Sequence, residues 1–140
     1  MIRYFVGAFI ACLGYGLIFN IDTRKILYAC LNCGIGYFIY NLCLPYGNYV
    51  SLIISSFVLT VVSEILARYT KSPVTIFLVC ALIPLVPGMG AYYTVLHLVN
   101  SESALAVARG FDTLVQAGSI VLGVSFATNI FKAVSRLKKH

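Results

Sequence analysis

From residue 26 to residue 63 the chain carries no charged side chain, and the same holds for residues 4–21, 72–101 and 113–131. Runs of this length match the ~20 residues a helix needs to cross ~30 Å of hydrocarbon. The charges stand between the runs: Asp22, Arg24 and Lys25; then Glu64, Arg68 and Lys71; then Glu102, Arg109 and Asp112; and finally Lys132, Arg136, Lys138 and Lys139, with Arg3 alone at the start. A soluble domain is about 45–50% apolar and about 25% charged. This chain of 140 residues is 61% hydrophobic and 10% charged, with a mean hydropathy of +0.96. A soluble protein of that size buries only about two-thirds of its chain surface, too little to hide so much apolar area. A disordered tail, a secreted disulfide scaffold and a conventional soluble enzyme are excluded on these grounds. What remains is an all-α polytopic membrane protein. It is expected to form one integral membrane domain over residues 1–140, with any activity inside the bilayer or in short loops.

The charge map predicts about five spans, at residues 4–21, 26–44, 49–66, 74–99 and 111–131. The second and third are separated at Leu44-Pro45-Tyr46-Gly47-Asn48, a run of turn-forming residues. The fourth is long enough to tilt or to contain a break. With the amino end outside and the carboxyl end in the cytoplasm, eight basic residues lie inside and only Arg3 and Arg109 outside, as the positive-inside rule requires. The basic tail then reads as an orientation signal at an anionic leaflet; no basic face large enough for nucleic acid exists. Arg3 and the apolar run after it resemble a short signal peptide, but no polar cleavage region follows. Cys12 after Phe9-Ile10-Ala11 is a poor lipidation box.

All five cysteines fall within or at the edge of these spans. Cys30-x-x-Cys33 has the spacing of a redox motif but neither the strand–helix context nor a polar neighbour to hold a thiolate, so the cysteines read as small apolar packing residues. With His97 and the terminal His140 as the only histidines, no metal site and no cofactor are expected. Small residues recur at helical spacing: Ala8, Cys12 and Gly16; Gly7 and Ala11; Ala29 and Cys33; Cys30 and Gly34, with Gly36 nearby; and Ala117, Gly118 and Gly123. Such rows let helices approach closely in lipid. They serve packing within the chain or docking of another membrane subunit. A bundle this small encloses little volume, so a partner or a homo-oligomer is expected.

The most informative stretch is Pro84-Leu85-Val86-Pro87-Gly88-Met89-Gly90-Ala91-Tyr92-Tyr93. Each proline deletes a helical hydrogen bond and crowds the carbonyl four residues back, here those of Cys80 and Ile83. Gly88 and Gly90 admit backbone angles other residues resist. From Val74, Pro84–Gly88 lies ten to fourteen residues in, or about 15–21 Å, near the middle of a ~30 Å core. Irregular backbone at that depth survives only when buried in protein or lining a wet cavity, and interrupted midplane helices are how secondary transporters build their sites. A second half-helix starting near Gly88–Gly90 would aim free N–H groups at a carboxylate, and the released carbonyls would suit an ammonium group or an ion. The plain alternative is a structural kink. Tyr92 and Tyr93 would line or gate the site.

Among the remaining polar residues, Glu64 is the only acid inside a span. It either pairs with Arg68 one turn on or titrates as a coupling group. Gln116 and the asparagines are expected to face the interior or a partner, and most serines and threonines to bond back to their own helix. Arg109 and Asp112 either draw substrate to the outer mouth or pair as exposed charges. No Gly-rich phosphate loop with Lys-Ser/Thr occurs, so no ATPase is encoded, and no nucleophile–base–acid set can be assembled.

The order of these motifs resembles the carboxyl-terminal half of the threonine/serine exporter family. In some members that half is a separate small subunit, paired with a larger one resembling the amino-terminal half. The matching residues are Phe19-Asn20 with Arg24; Gly34-x-Gly36-Tyr37 with Tyr40; Ser63-Glu64-Ile65-Leu66-Ala67-Arg68 with Lys71 and Pro73; Ile83-Pro84-Leu85-Val86-Pro87-Gly88 with Tyr92-Tyr93; and Thr113-Leu114 with Gly123. The resemblance covers nearly the whole chain, although Ile21-Asp22-Thr23 stands where a common form has proline soon after Phe-Asn. It implies proton-driven export of amino acids across the cell membrane, without an enzymatic step. Related two-component systems handle dicarboxylates such as succinate, so both substrate classes stay open. The substrate-binding residues would be Pro84, Pro87, Gly88, Gly90, Tyr92, Tyr93 and Gln116, with Glu64 the coupling candidate. Two rival readings are a non-transporting accessory or assembly subunit and, more distantly, a membrane-embedded enzyme acting on lipid.

Overall fold

The computed structural model describes residues 2–137, so Lys138, Lys139 and His140 of the basic tail lie outside the described residues. Over the described residues six helices follow one another: α1 (Ile2–Ile18), α2 (Thr23–Cys43), α3 (Asn48–Thr70), α4 (Val74–Leu82), α5 (Gly88–Val99) and α6 (Ser103–Leu137). Short 3-10 turns at Leu44–Tyr46 and Ile83–Leu85 follow α2 and α4. No strand occurs among the described residues.

Three helical stretches are long and apolar enough to cross a membrane, Arg24–Tyr46, Asn48–Thr70 and Ser103–Arg136. The bent pair Val74–Leu85 and Gly88–Val99, with 51° between its halves, passes the same test together. The chain is thus an all-α polytopic membrane protein. The remaining apolar helix, α1, has 17 residues, roughly 25 Å at 1.5 Å per residue, and ends before the Ile21 expected to close the first span. The last helix departs from expectation in the other direction. It has 35 residues, roughly 50 Å long, because residues 103–110 are helical instead of forming an outer loop. Ala104, Ala106 and Ala108 favour that helix, since alanine loses no side-chain entropy on forming it.

Neighbouring contacts give the directions of the helices. Between α1 and α2, Cys33 Sγ donates to the Ala8 carbonyl at 3.3 Å and Gly16 packs against Ile26, an antiparallel pairing. Asn32 Nδ2 donates to the Leu59 carbonyl at 3.2 Å and to Ser63 Oγ at 2.8 Å, while the Tyr40 hydroxyl donates to Asn48 Oδ1 at 2.7 Å. Helices α2 and α3 are therefore antiparallel as well. Between α3 and α6 the order runs the same way on both: Tyr49 with Asp112, Ser56 with Gly123, and Arg68 over the Phe131 ring at 5.0 Å. Parallel packing of α3 and α6 means that the chain returns across the bundle between them. The bent α4–α5 pair is consequently one broken span and not a loop that turns back to the side it left.

The same order gathers Arg24, Lys25, Arg68, Lys71, Lys132 and Arg136 at one end of the bundle. The turn between α2 and α3 and that between α5 and α6 lie at the other. Gly47, at the first of these turns, has φ +114°, a conformation that suits glycine because a Cβ would clash there.

The core is built from small side chains. Ala8, Cys12, Ala29, Cys30, Cys33, Cys80 and Ala81 are buried with Ile26, Leu52, Leu59 and Phe77, and the five cysteines are free thiols. The row Ala8–Cys12–Gly16 packs inside the chain, whereas Gly7, Ala11 and Gly118 are exposed. Buried Ser51, Ser55, Ser56, Thr60 and Ser63 line α3. Each hydroxyl bonds back to a carbonyl three or four residues earlier, which satisfies it locally and keeps the α3 surface thin.

The closest approach joins α3 and α6. A Cβ on Gly123 would run into Ser56 Oγ and the Ile53 carbonyl and sit 3.0 Å from the Phe57 amide nitrogen. Two of these are backbone atoms that cannot step aside. Gly123→Ala should therefore destabilise the protein by about 1–3 kcal/mol, the usual cost of overpacking. Gly118→Ala, with nothing within 4 Å of the new methyl, should be neutral or gain up to about 1 kcal/mol from helix propensity. Thermal unfolding of the two purified variants checks the contrast.

Candidate functional site

The two prolines shape the break. Pro84 sits in the 3-10 turn Ile83–Leu85, which ends at Val86 in an extended conformation, φ −61° and ψ 131°. That conformation is the one a residue preceding proline favours. Pro87 then stands as the N-cap of α5 without any side-chain cap bond. Gly88 and Gly90 are helical, and among the described residues Gly47 is the only glycine with positive φ. The break thus comes from the prolines alone, contrary to the expectation that both glycines supply unusual backbone angles. Gly90 serves instead to let two helices meet. A Cβ there would collide with Thr113 Oγ1 of α6, so its small size brings the start of α5 against α6. The Ile83 carbonyl, expected to be released, accepts from the Val86 amide at 3.3 Å, and the Leu82 carbonyl from the same amide at 3.2 Å.

A cavity of about 480 Å³ opens at this break. Pro84, Pro87, Gly88 and Gly90 form one wall with Tyr93, and Gln116 faces them from α6. Six of the seven substrate-binding residues expected from sequence therefore share one space. The seventh, Tyr92, does not line it. Its side chain is 60% exposed and meets the Tyr93 ring edge-on at 5.5 Å. Consecutive residues on a helix point about 100° apart, and the face holding Gly90 and Tyr93 excludes Tyr92.

The cavity also holds residues from outside the broken span. Tyr37 and Tyr40 come from α2, Leu52 from α3, and Arg109 and Asp112 from α6. Only the family resemblance singles out the two tyrosines in the sequence, and no local pattern marks them. Arg109 and Asp112 were expected either to draw substrate to the outer mouth or to pair as exposed charges; both line the cavity, and no ion pair between them occurs among the described residues. The Asp112 carboxylate is held on both oxygens: the Tyr49 hydroxyl donates to Oδ1 at 2.6 Å and Gln116 Nε2 to Oδ2 at 2.9 Å. Gln116 thus orients the acid as well as lining the space.

At the start of α5, the amides of Met89 and Gly90 belong to the first helical turn and have no intrahelical acceptor. The partial positive charge of that end faces the cavity. The arrangement presents an aromatic wall, a carboxylate, a guanidinium and a helix start around one volume, which suits a small polar molecule carrying charge.

Glu64 is elsewhere. It lies on α3, 3.9 Å from Arg68 at i,i+4, and does not line the cavity. Its side chain retains only 16% of its exposure, against 49% for Arg68. Among the described residues no cluster of histidine, cysteine and acidic side chains could hold a metal ion.

A family model described as threonine/serine exporter, ThrE, matches residues 4–130. No solved structure matches the chain.

The contact of Gly90 with Thr113 gives a direct test of how α5 is seated. Gly90→Ala should cost about 1–3 kcal/mol by overpacking. Thr113→Ala in the same chain should restore most of that loss by removing the hydroxyl in the way. A double-mutant cycle of thermal unfolding checks the coupling.

Proposed function

The chain belongs to the threonine/serine exporter family, and on that premise we propose that it is the small subunit of a secondary exporter, carrying threonine/serine-like amino acids or small carboxylates out of the cytoplasm in exchange for protons. The observation that carries this reading is the cavity at the broken span, where the α5 amino terminus, Tyr93 and Gln116 meet side chains of α2, α3 and α6. Both substrate classes bear a carboxylate, which the α5 start and Arg109 can attract. The reaction is passage without bond-making, so the chain is read as a transporter component and not as an enzyme.

The bundle would sit in the cytoplasmic membrane with its basic end inside and the Asp112 end of the cavity toward the outside, supported by the gathering of basic residues at one end. Glu64 is the group we assign to proton coupling. It is an acid within a span, largely shielded and held by one partly exposed arginine. A larger membrane subunit, resembling the amino-terminal half of the family, is the expected partner. Its support is that α5 buries no side chain and that an apolar groove of about 370 Å³ runs between α5 and α6, lined by Leu98, Val107, Phe111 and Leu114. The same exposed hairpin favours a second reading, an accessory subunit that docks a transporter without lining its path.

Efflux separates the two. Cells lacking their own exporters and loaded with a threonine-containing dipeptide should release threonine when this chain and its large partner are both present. Pro87→Ala with Gly88→Leu should abolish that release while the protein still inserts; unchanged release would favour the accessory reading. Glu64→Gln should leave threonine–threonine exchange across vesicles intact while removing the stimulation of net efflux by an inward proton gradient.

A further inference from the structure

The chain has four acidic residues, Asp22, Glu64, Glu102 and Asp112. Three of them face a basic group: Asp22 lies 4.0 Å from Lys25, Glu64 3.9 Å from Arg68, and Glu102 2.5 Å from His97 Nδ1. Asp112 differs. Its partners are the neutral Tyr49 hydroxyl and Gln116 amide, which orient the carboxylate without cancelling its charge. Arg109, three residues earlier, faces the same cavity, yet among the described residues it forms no ion pair. Residues at i,i+3 on a helix are neighbours able to pair. Here the two opposite charges instead stand apart around a space large enough for a small solute.

We propose that Asp112 and Arg109 read the two ends of the transported molecule, Asp112 taking its ammonium group and Arg109 its carboxylate, and that Asp112 thereby rejects dicarboxylates. The inference rests on the exporter reading and selects between the two substrate classes that reading leaves open. Asp112 is partly buried and Arg109 exposed, and a zwitterion supplies a counter-charge to both at once. Tyr37, Tyr40 and Tyr93 add aromatic rings around the cavity, a setting that favours a cation over an anion. The α5 start adds partial positive charge to the same cavity. A dicarboxylate would bring a second negative group to Asp112, and discrimination by such repulsion is a general device of selective sites.

The test measures binding of four probes to the full chain in lipid nanodiscs: L-threonine, 3-hydroxybutyrate (no ammonium), 1-amino-2-propanol (no carboxylate) and succinate. The wild-type chain should prefer threonine. Asp112→Asn should weaken threonine and 1-amino-2-propanol by about tenfold or more, the scale of one charge-assisted hydrogen bond. It should leave 3-hydroxybutyrate unchanged and strengthen succinate. Arg109→Gln should weaken threonine and 3-hydroxybutyrate and spare 1-amino-2-propanol. Asp112→Glu keeps the charge and should keep part of the threonine affinity, which separates charge from packing. Equal losses for all four probes, no losses, or a wild-type chain that prefers succinate or binds none would overturn the assignment. The dipeptide efflux assay reports on the exporter reading separately. Efflux without the charge pattern refutes this assignment alone, and the charge pattern with efflux indifferent to the break-site variant refutes the exporter reading alone.

Discussion

A bilayer core offers no water to hydrogen-bond a bare peptide group, and each unsatisfied group there costs several kcal/mol. The interruption between α4 and α5 is where the apolar helices strain this rule. Pro84 and Pro87 have no N–H to give, and the start of α5 leaves amides without intrahelical partners. The chain answers the strain partly by itself: the Val86 amide reaches both the Leu82 and Ile83 carbonyls, and a 3-10 turn tightens the end of α4. What is left over faces a cavity shared by α2, α3 and α6. The location of that cavity follows from the location of the break.

The direction of α6 depends on the same break. Had α4 and α5 turned back, α6 would begin at the basic end and run antiparallel to α3. Instead Tyr49 meets Asp112, Ser56 meets Gly123 and Arg68 covers Phe131 in the same order along both helices. Two glycines make this packing tight. Gly123 lets α6 lie on the α3 backbone, and Gly90 lets the start of α5 close on α6. Together they bring the Asp112 carboxylate of α6, held by the Tyr49 hydroxyl of α3, and the start of α5 to one volume. Serines on α3 contribute by being thin and self-satisfied, so that polar content near the core does not demand water.

The all-α apolar character, the break and its two prolines were legible in the sequence, because hydropathy and missing amide donors act locally and at known spacing. Of the five expected spans, however, α1, with 17 residues, is not among the stretches long and apolar enough to cross a membrane. The roles of Gly88 and Gly90 were not. A glycine used for φ freedom and one used for close approach look identical along the chain, and only the partner Thr113, from another helix, distinguishes them. The inclusion of Tyr92 had a different cause. Adjacent tyrosines after a break invite a joint role, but helical geometry separates them, and the spacing from Gly90 to Tyr93 already marked the face. The length of α6 was obscured by treating Arg109 as a loop residue, although the alanines around it favour helix. Tyr37, Tyr40 and Tyr49 could not be placed near Asp112 from sequence, since that proximity is created by the packing of α2 and α3 against α6.

The acids of α3 and α6 show how burial and partner divide their chemistry. Glu64 is shielded but tied to Arg68, a group that also lies over Phe131 and links the basic ends of the two helices. Asp112, near the opposite end of the same helix pair, is held by neutral donors from α3 and α6. Those neutral donors orient Asp112 toward the cavity it lines. Because α3 and α6 are parallel, the two acids stand at opposite ends of one helix pair, and α5, packed beside it, buries no side chain of its own. It is joined to α6 where Gly90 meets Thr113, so the half-helix that starts at the break borders the same cavity as Asp112.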